Sequence, residues 1–269
     1  MNNNIKKNPY EDITYEEFRL NPSGKGTAFF RSREVVKEDL ERRTLMLIKY
    51  SKGSFQEKIY ANKDLTEIII HLKVPSEQKI IIDKKLLYDV VIELTNEEAA
   101  IKTFMSVAKY RIRFYSNSPD FQFTYTFSAK EHDLLPAFTI SKCSQEALIQ
   151  SAEKRNPDGI IGFNKSIFFA LNYIQYKGLY RLNEIRRNRN DINYRTILDS
   201  IASMEEKFTE YNIIKRLNED KKARINKADY GDTQKKQNSK KSNVVGARKA
   251  RSGGKRITAR KPKSLVKRK

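Results

Sequence analysis

Two stretches decide the fold class, LTEIIIHLKV at residues 65–74 and LLYDVVIEL at residues 86–94. In the first, Ile68, Ile70, Leu72 and Val74 alternate with Glu67, His71 and Lys73, the period-2 pattern of a half-buried strand. The second repeats it, with Tyr88, Val90, Ile92 and Leu94 expected inward and Asp89 and Glu93 outward. Two further alternating runs, YRIRFYS (110–116) and FQFTYTF (121–127), are separated by NSPD (117–120), which reads as a hairpin connection.

Helical signals lie around these strands. Thr95 and Glu98 have the spacing of a capping box, which predicts a helix over NEEAAIKTFMSVAK (96–109). Ser144 opens a short helix, QEALIQSAEKR, which NPDG (156–159) ends. KSIFFALNYIQYKG (165–178) is apolar on most sides, so it reads as a buried helix closed by Gly178. In VVKEDLERRTLMLIKYSKG (35–53) the start suits a helix, while TLMLIKYS looks like a strand leading through Gly53 into FQEKIY. From Tyr194, the residues Ile197, Ile201, Met204, Phe208 and Tyr211 recur at spacings of four and three, the stripe of one long helix ending near Asn226.

The expected class is therefore α+β: a predominantly antiparallel sheet covered by helices, with a long C-terminal helix and a disordered basic tail. Residues 1–25, polar and broken by NPSGKG, read as an extended N-terminal arm, 26–192 as the α+β body, 193–228 as the C-terminal helix and 229–269 as the tail.

Charge separates the tail from the rest. The 269 residues have a net charge of +21, yet Thr233–Lys269 holds 15 basic residues, no acidic and no aromatic ones. The preceding 232 residues hold 39 basic and 33 acidic residues and all 28 Phe and Tyr, so they are near neutral and able to bury a core. The tail cannot offset the ~1–2 kcal/mol per residue of backbone entropy lost on ordering, so it should be disordered alone. Its cations are Lys235, Lys236, Lys240, Lys241, Arg248, Lys249, Arg251, Lys255, Arg256, Arg260, Lys261, Lys263, Lys267, Arg268 and Lys269. They need a polyanion, and without a base-reading scaffold the binding should be indifferent to sequence. Import signals and anionic lipids are the alternative partners; the absence of apolar residues suited to insertion argues against a membrane. The body offers a second basic surface, with Lys109, Arg111 and Arg113 on one strand face beside Tyr115, and Arg181, Arg186, Arg187 and Arg189 further on.

Catalytic signals are sparse. One Cys and two His argue against a disulfide framework and most zinc sites, and a reducing, intracellular setting is expected. Neither a secretory signal nor a membrane span is expected. Cys143 with His132 is the one conceivable thiol–imidazole pair, against the simpler reading of a structural Cys. Glu131–Asp133 reads as a polar loop rather than a metal site, and Gly24–Gly26 as a turn. Asp89 and Glu93 share a strand face and could hold Mg²⁺ for a nuclease, but no lysine is evident beside them. No catalytic residue, metal or cofactor is assigned.

One pattern resembles a known module. Ser116 and Ser118, before Pro119, Asp120 and Phe121, and Asn164 and Ser166, around Lys165, are placed as in a SWIM-type zinc module, in which C-x-C-P-D-F on a hairpin is followed by C-K-H at the start of a buried helix. All four ligands are replaced, so the resemblance implies a metal-free relic held by hydrogen bonds and a Phe-rich core. Over about residues 85–180 the chain is also similar to segments in structural proteins of large tailed bacteriophages, which implies a virion-associated role. The expectation is a non-enzymatic virion protein, in the host cytoplasm during assembly, that contacts other virion or assembly subunits and binds nucleic acid, DNA first, through its basic C-terminal arm. The alternatives are an RNA-binding ribonucleoprotein or ribosome-associated factor and a Mg²⁺-dependent nuclease.

Overall fold

The computed structural model describes residues 8–22, 24, 31–50, 55–76, 86–149, 164–217 and 219–220. The chain divides into two compact units, Met1–Arg216 and Leu217–Lys269. The sheet and its core belong to the first; of the second, Leu217, Glu219 and Asp220 are described, and they are helical.

The α+β class holds. Strands β1 (Gln56–Ala61), β2 (Glu67–Pro75), β3 (Leu87–Thr95), β4 (Arg111–Ser116) and β5 (Arg189–Asn190) form one sheet in the order β4-β3-β2-β1-β5. Neighbours from β1 to β4 pair antiparallel, and β5 alone runs parallel, against β1. The outer edge of β4 is closed by other backbone, with Ile112 N–H donating to Ile13 O and Phe114 N–H to Leu134 O, so no free ladder remains there.

Register sets Ile70, Ile92 and Phe114 side by side on one face and His71, Val91 and Tyr115 on the other. The first face is covered by α1 (Tyr15–Leu20), whose Phe18 ring meets Phe114 at 4.8 Å, and by α6 (Lys165–Lys177). Asn164 caps α6 by accepting from Ile167 N–H, and Gly178 ends it at φ 71°, as the sequence predicts. The second face is covered by α8 (Tyr194–Ser200) and the extended residues after it, where Ser200 and Ala202 meet His71 and Asp89. Because both faces are covered, Ile68, Ile69, Ile70, Leu72, Val90, Val91, Ile92 and Leu94 are all fully buried. At about 1.5–3 kcal/mol per buried side chain, these two strands supply a large share of the hydrophobic stabilisation.

Several local expectations are corrected. Asp89 and Glu93 do not face solvent but are buried, since the sheet is covered on the side they occupy. Residues 8–22 are not an extended arm: Thr14 and Glu17 form a reciprocal capping box that starts α1, and Tyr10, Ile13, Tyr15 and Phe18 join the core. Gly24 stays close to this segment at φ 97°, where a Cβ would lie 2.7 Å from Pro9 Cβ. Of TLMLIKYS, residues 44–50 are helical, the end of α2 (Arg31–Tyr50), with Leu40 and Thr44 one turn apart and Thr44 Oγ1 accepting from Asn172 of α6; Ser51 lies outside the described residues.

The region 96–109 is not one helix. Thr95 is still paired in β3 and cannot cap, so Asn96 caps only a 3-10 turn, Glu97–Ala100, and a second turn, Val107–Lys109, leads into β4. FQFTYTF is not a strand and NSPD is not a hairpin. Ser118 accepts from Phe121 N–H with Pro119 at the first helical position, starting α3 (Pro119–Thr124), which is followed by α4 (Thr126–Glu131). The chain continues through the 3-10 turn Ala137–Lys142, α5 (Gln145–Ile149) and α7 (Leu182–Asn188).

The stripe from Tyr194 is carried by two helical segments. α8 stops at Ser200, residues 201–203 are not helical, and Ser203 with Glu206 forms a second capping box that starts a helix over 204–217. No helix among the described residues is long and apolar enough to cross a membrane.

Candidate functional site

The fifteen Lys and Arg residues from Lys235 to Lys269 lie outside the described residues. Within the body, the strand face that sequence marks as basic is neutralised. Arg111 pairs with Asp133 (2.7 Å) and Asp12 (3.3 Å), and Arg113 with Asp133 (3.0 Å) and Glu93 (3.3 Å). Tyr115 is fully buried, with its hydroxyl donating to Lys142 O, so it stacks no base. Arg187 is held by Glu184, and Arg189 donates to the carbonyls of Ala61 and Asn62. Exposed cations remain at Lys109, Arg181 and Arg186.

The four positions singled out by the zinc-module resemblance meet, although 48 residues separate Ser118 from Ser166. Ser166 Oγ donates to Asn164 Oδ1 (2.7 Å) or to Ser116 Oγ (2.9 Å) and lies 3.2 Å from Ser118 Oγ. All four side chains are buried, and Asn164 Nδ2 reaches Asp120 Oδ2 at 2.9 Å. β4 delivers Ser116, the cap of α3 delivers Ser118, and the first turn of α6 delivers the other two. Hydroxyls and an amide satisfy one another here; they are hard, neutral donors with little affinity for zinc. Ser118, Asn164 and Ser166 form one wall of a cleft of about 430 Å³, whose other walls include Val74, Tyr88, Phe169 and Tyr211.

A second polar cluster lies under α8. Asp89, 0% exposed, accepts from His71 Nε2 (2.8 Å) and Lys73 Nζ (2.9 Å) on Oδ1, and from Asn117 Nδ2 (2.9 Å) and Ala202 N–H (3.2 Å) on Oδ2. Burial alone would raise this carboxyl, but the hydrogen bonds and charges of His71 and Lys73 outweigh it and hold the pKa at about 2. Lys73 is thus the lysine that sequence reading did not find beside Asp89; it lies directly across the ladder, and only the β2–β3 register reveals it. Glu93 is engaged separately by Arg113, and burial pushes its pKa up against that pull. With four donors on its two oxygens, Asp89 is occupied by the protein and is not placed to share a cation with Glu93.

Ser200, His71 and Asp89 have the residue types of a hydrolase triad, with Ser200 Oγ 3.2 Å from His71 Nδ1. The hydroxyl, however, donates to Ile197 O at 2.7 Å, and His71 is buried between strand and helix. They are arranged as a clamp: Asp89 and Asn117, with Lys142 Nζ on Ile201 O (3.0 Å), fix the non-helical residues Ile201 and Ala202 onto the sheet.

Cys143 is buried, its thiol pushed up to about 12 by that burial, and its Sγ points to Thr139 O at 3.7 Å. His132 packs instead on Tyr10, 4.9 Å between rings. Among the described residues no three His, Cys, Asp or Glu side chains come together as a metal-ligand group. No protein-family model, curated protein or solved structure matches the chain.

Proposed function

We propose that this chain is a non-enzymatic structural protein of a nucleic-acid-containing particle, a virion, in which the folded body meets partner subunits and the basic C-terminal arm binds DNA without sequence preference. The observation that carries this reading is the segregation of charge: 15 basic residues and no acidic ones in Thr233–Lys269, against a body close to neutrality. A segment of that composition gains affinity by releasing counterions from phosphates.

If six to ten of these cations neutralise phosphates, the logarithm of the DNA affinity should fall against the logarithm of salt with a slope of about −5 to −9. A titration of the full chain on duplexes of unrelated sequence measures it. A nearly flat slope, or a strong preference for one sequence, argues against the arm as the binding element.

The virion assignment draws on the resemblance of residues 85–180 to segments of bacteriophage structural proteins, and the meeting of Ser116, Ser118, Asn164 and Ser166 supports it. If the cluster descends from a zinc site, restoring the ligands should restore the metal. The variant Ser116→Cys, Ser118→Cys, Asn164→Cys, Ser166→His is expected to bind one zinc per chain tightly and to melt at higher temperature with zinc than without. A folded variant that takes up no stoichiometric zinc would mark the resemblance as incidental.

A further inference from the structure

We propose that the surface formed by the 101–109 connection and the start of α7 is a second nucleic-acid contact, on the folded body, that takes a single strand. It rests on the reading that the chain binds nucleic acid, and it adds a defined site to the arm.

The two segments are tied together by backbone. Val107 N–H donates to Tyr180 O (2.9 Å) and Leu182 N–H to Met105 O (3.2 Å), with Ser106 and Arg181 paired as an isolated antiparallel bridge. The cations at this junction are available. Lys109, Arg181 and Arg186 are exposed, and among the described residues none has a carboxylate within ion-pair distance. Glu184, the acid of α7 whose field reaches Arg181, is itself paired with Arg187.

Arg181 is also oriented. Its guanidinium lies 5.5 Å from the centroid of the Tyr180 ring, and its Nε donates to the Tyr180 hydroxyl at 3.4 Å. The ring thus supports a planar cation at the surface. Met105, whose carbonyl accepts from Leu182 N–H, is 76% exposed, and Ile101, earlier in the same connection, is 89% exposed; they are the two most exposed large hydrophobic residues described. Apolar side chains left in water this far have no role in the core of this chain.

Unpaired cations interleaved with a planar guanidinium and apolar side chains match a single strand, which presents phosphates and free base faces together. A duplex offers only the phosphates, and its bases are stacked away from such a surface. An acidic protein segment would satisfy the cations, but it gives the guanidinium plane no base to stack on.

The test uses the full chain, a thymidine oligonucleotide and ultraviolet crosslinking, with adducts mapped by mass spectrometry. Adducts within 101–109 or 180–186 are expected in addition to those in the tail. The full-chain variant Arg181→Ala, Arg186→Ala should lose them and show a single-strand salt slope smaller by about 1.4, the value for two phosphates. Its duplex affinity should stay at the wild-type level. Adducts confined to residues 233–269, with an unchanged slope, would overturn this surface while leaving the arm in place. No binding of the full chain to either strand form would overturn both.

Discussion

Truncation after Gly231 is expected to remove most of the salt-sensitive DNA affinity, by about a thousandfold or more at 50 mM salt, while the remaining chain stays folded. The electrostatic term scales with the number of phosphates neutralised, and losing six to ten contacts removes several powers of ten at low salt. The fold should survive because every described strand and every described residue of the core cluster lies before Leu217. The body left behind holds a near-balanced charge, and its Arg111 and Arg113 are already paired. What binding persists should come from a few cations and show a slope of a few units at most. Undiminished duplex affinity in the truncated chain would shift the site to the body and end the proposal for the arm. Running duplex DNA and structured RNA in matched salt separates the virion reading from a ribonucleoprotein one, since the latter expects RNA to be preferred.

The second large effect is on stability. Asp89→Ala is expected to cost about 3 kcal/mol, because it leaves buried His71 and the partly exposed Lys73 ammonium without their carboxylate and frees the Ala202 and Asn117 amides. The same carboxyl gives a pH signature. Its folded pKa, about 2, lies below the ordinary value of about 3.9 for an unfolded Asp. The stabilisation is therefore fully present above about pH 4 and is lost as the pH falls through 2, roughly 2.5 kcal/mol in all. Denaturant unfolding at pH 7 and along an acid series measures both quantities. An alanine variant as stable as the wild type, or one with the same acid slope below pH 4, would show that the clamp carries no energy. Because Asp89 also holds the Ala202 amide, its loss should raise hydrogen exchange at the start of the 204–217 helix before the sheet opens.

The two clusters were legible to different degrees. Ser116, Ser118, Asn164 and Ser166 could be picked out as a set because each sits at a fixed offset in a recognisable local pattern, Ser-x-Ser-Pro-Asp and Asn-x-Ser. Their meeting depends on α6 crossing the sheet, which no offset states. The Asp89 cluster left no such trace. Its members come from β2, β3, the residue after β4 and the residues after α8, and the alternation around Asp89 reads as a solvent face. Two further cap signals are present in the sequence. Thr14 with Glu17 marks α1, and Ser118 with Pro119 marks α3; in the second case the β-branched and aromatic run after the cap has the composition of a strand.

By itself, the sequence determined the class of fold, the central strands, the buried helix ending at Gly178 and the concentration of positive charge after Thr233. These are local properties, periodicity, caps and composition, that each segment carries wherever it goes. Only the tertiary structure decided which polar side chains are buried. Once α6 covers one face of the sheet and α8 the other, alternation no longer separates inside from outside, and Asp89, Glu93 and His71 are enclosed with partners that cross-strand register and distant segments supply. The partnering of Arg111 and Arg113, and the exposure of Arg181 and Met105, follow from the same enclosure: burial and pairing depend on what packs against a residue, and the neighbours in space are far away in the chain.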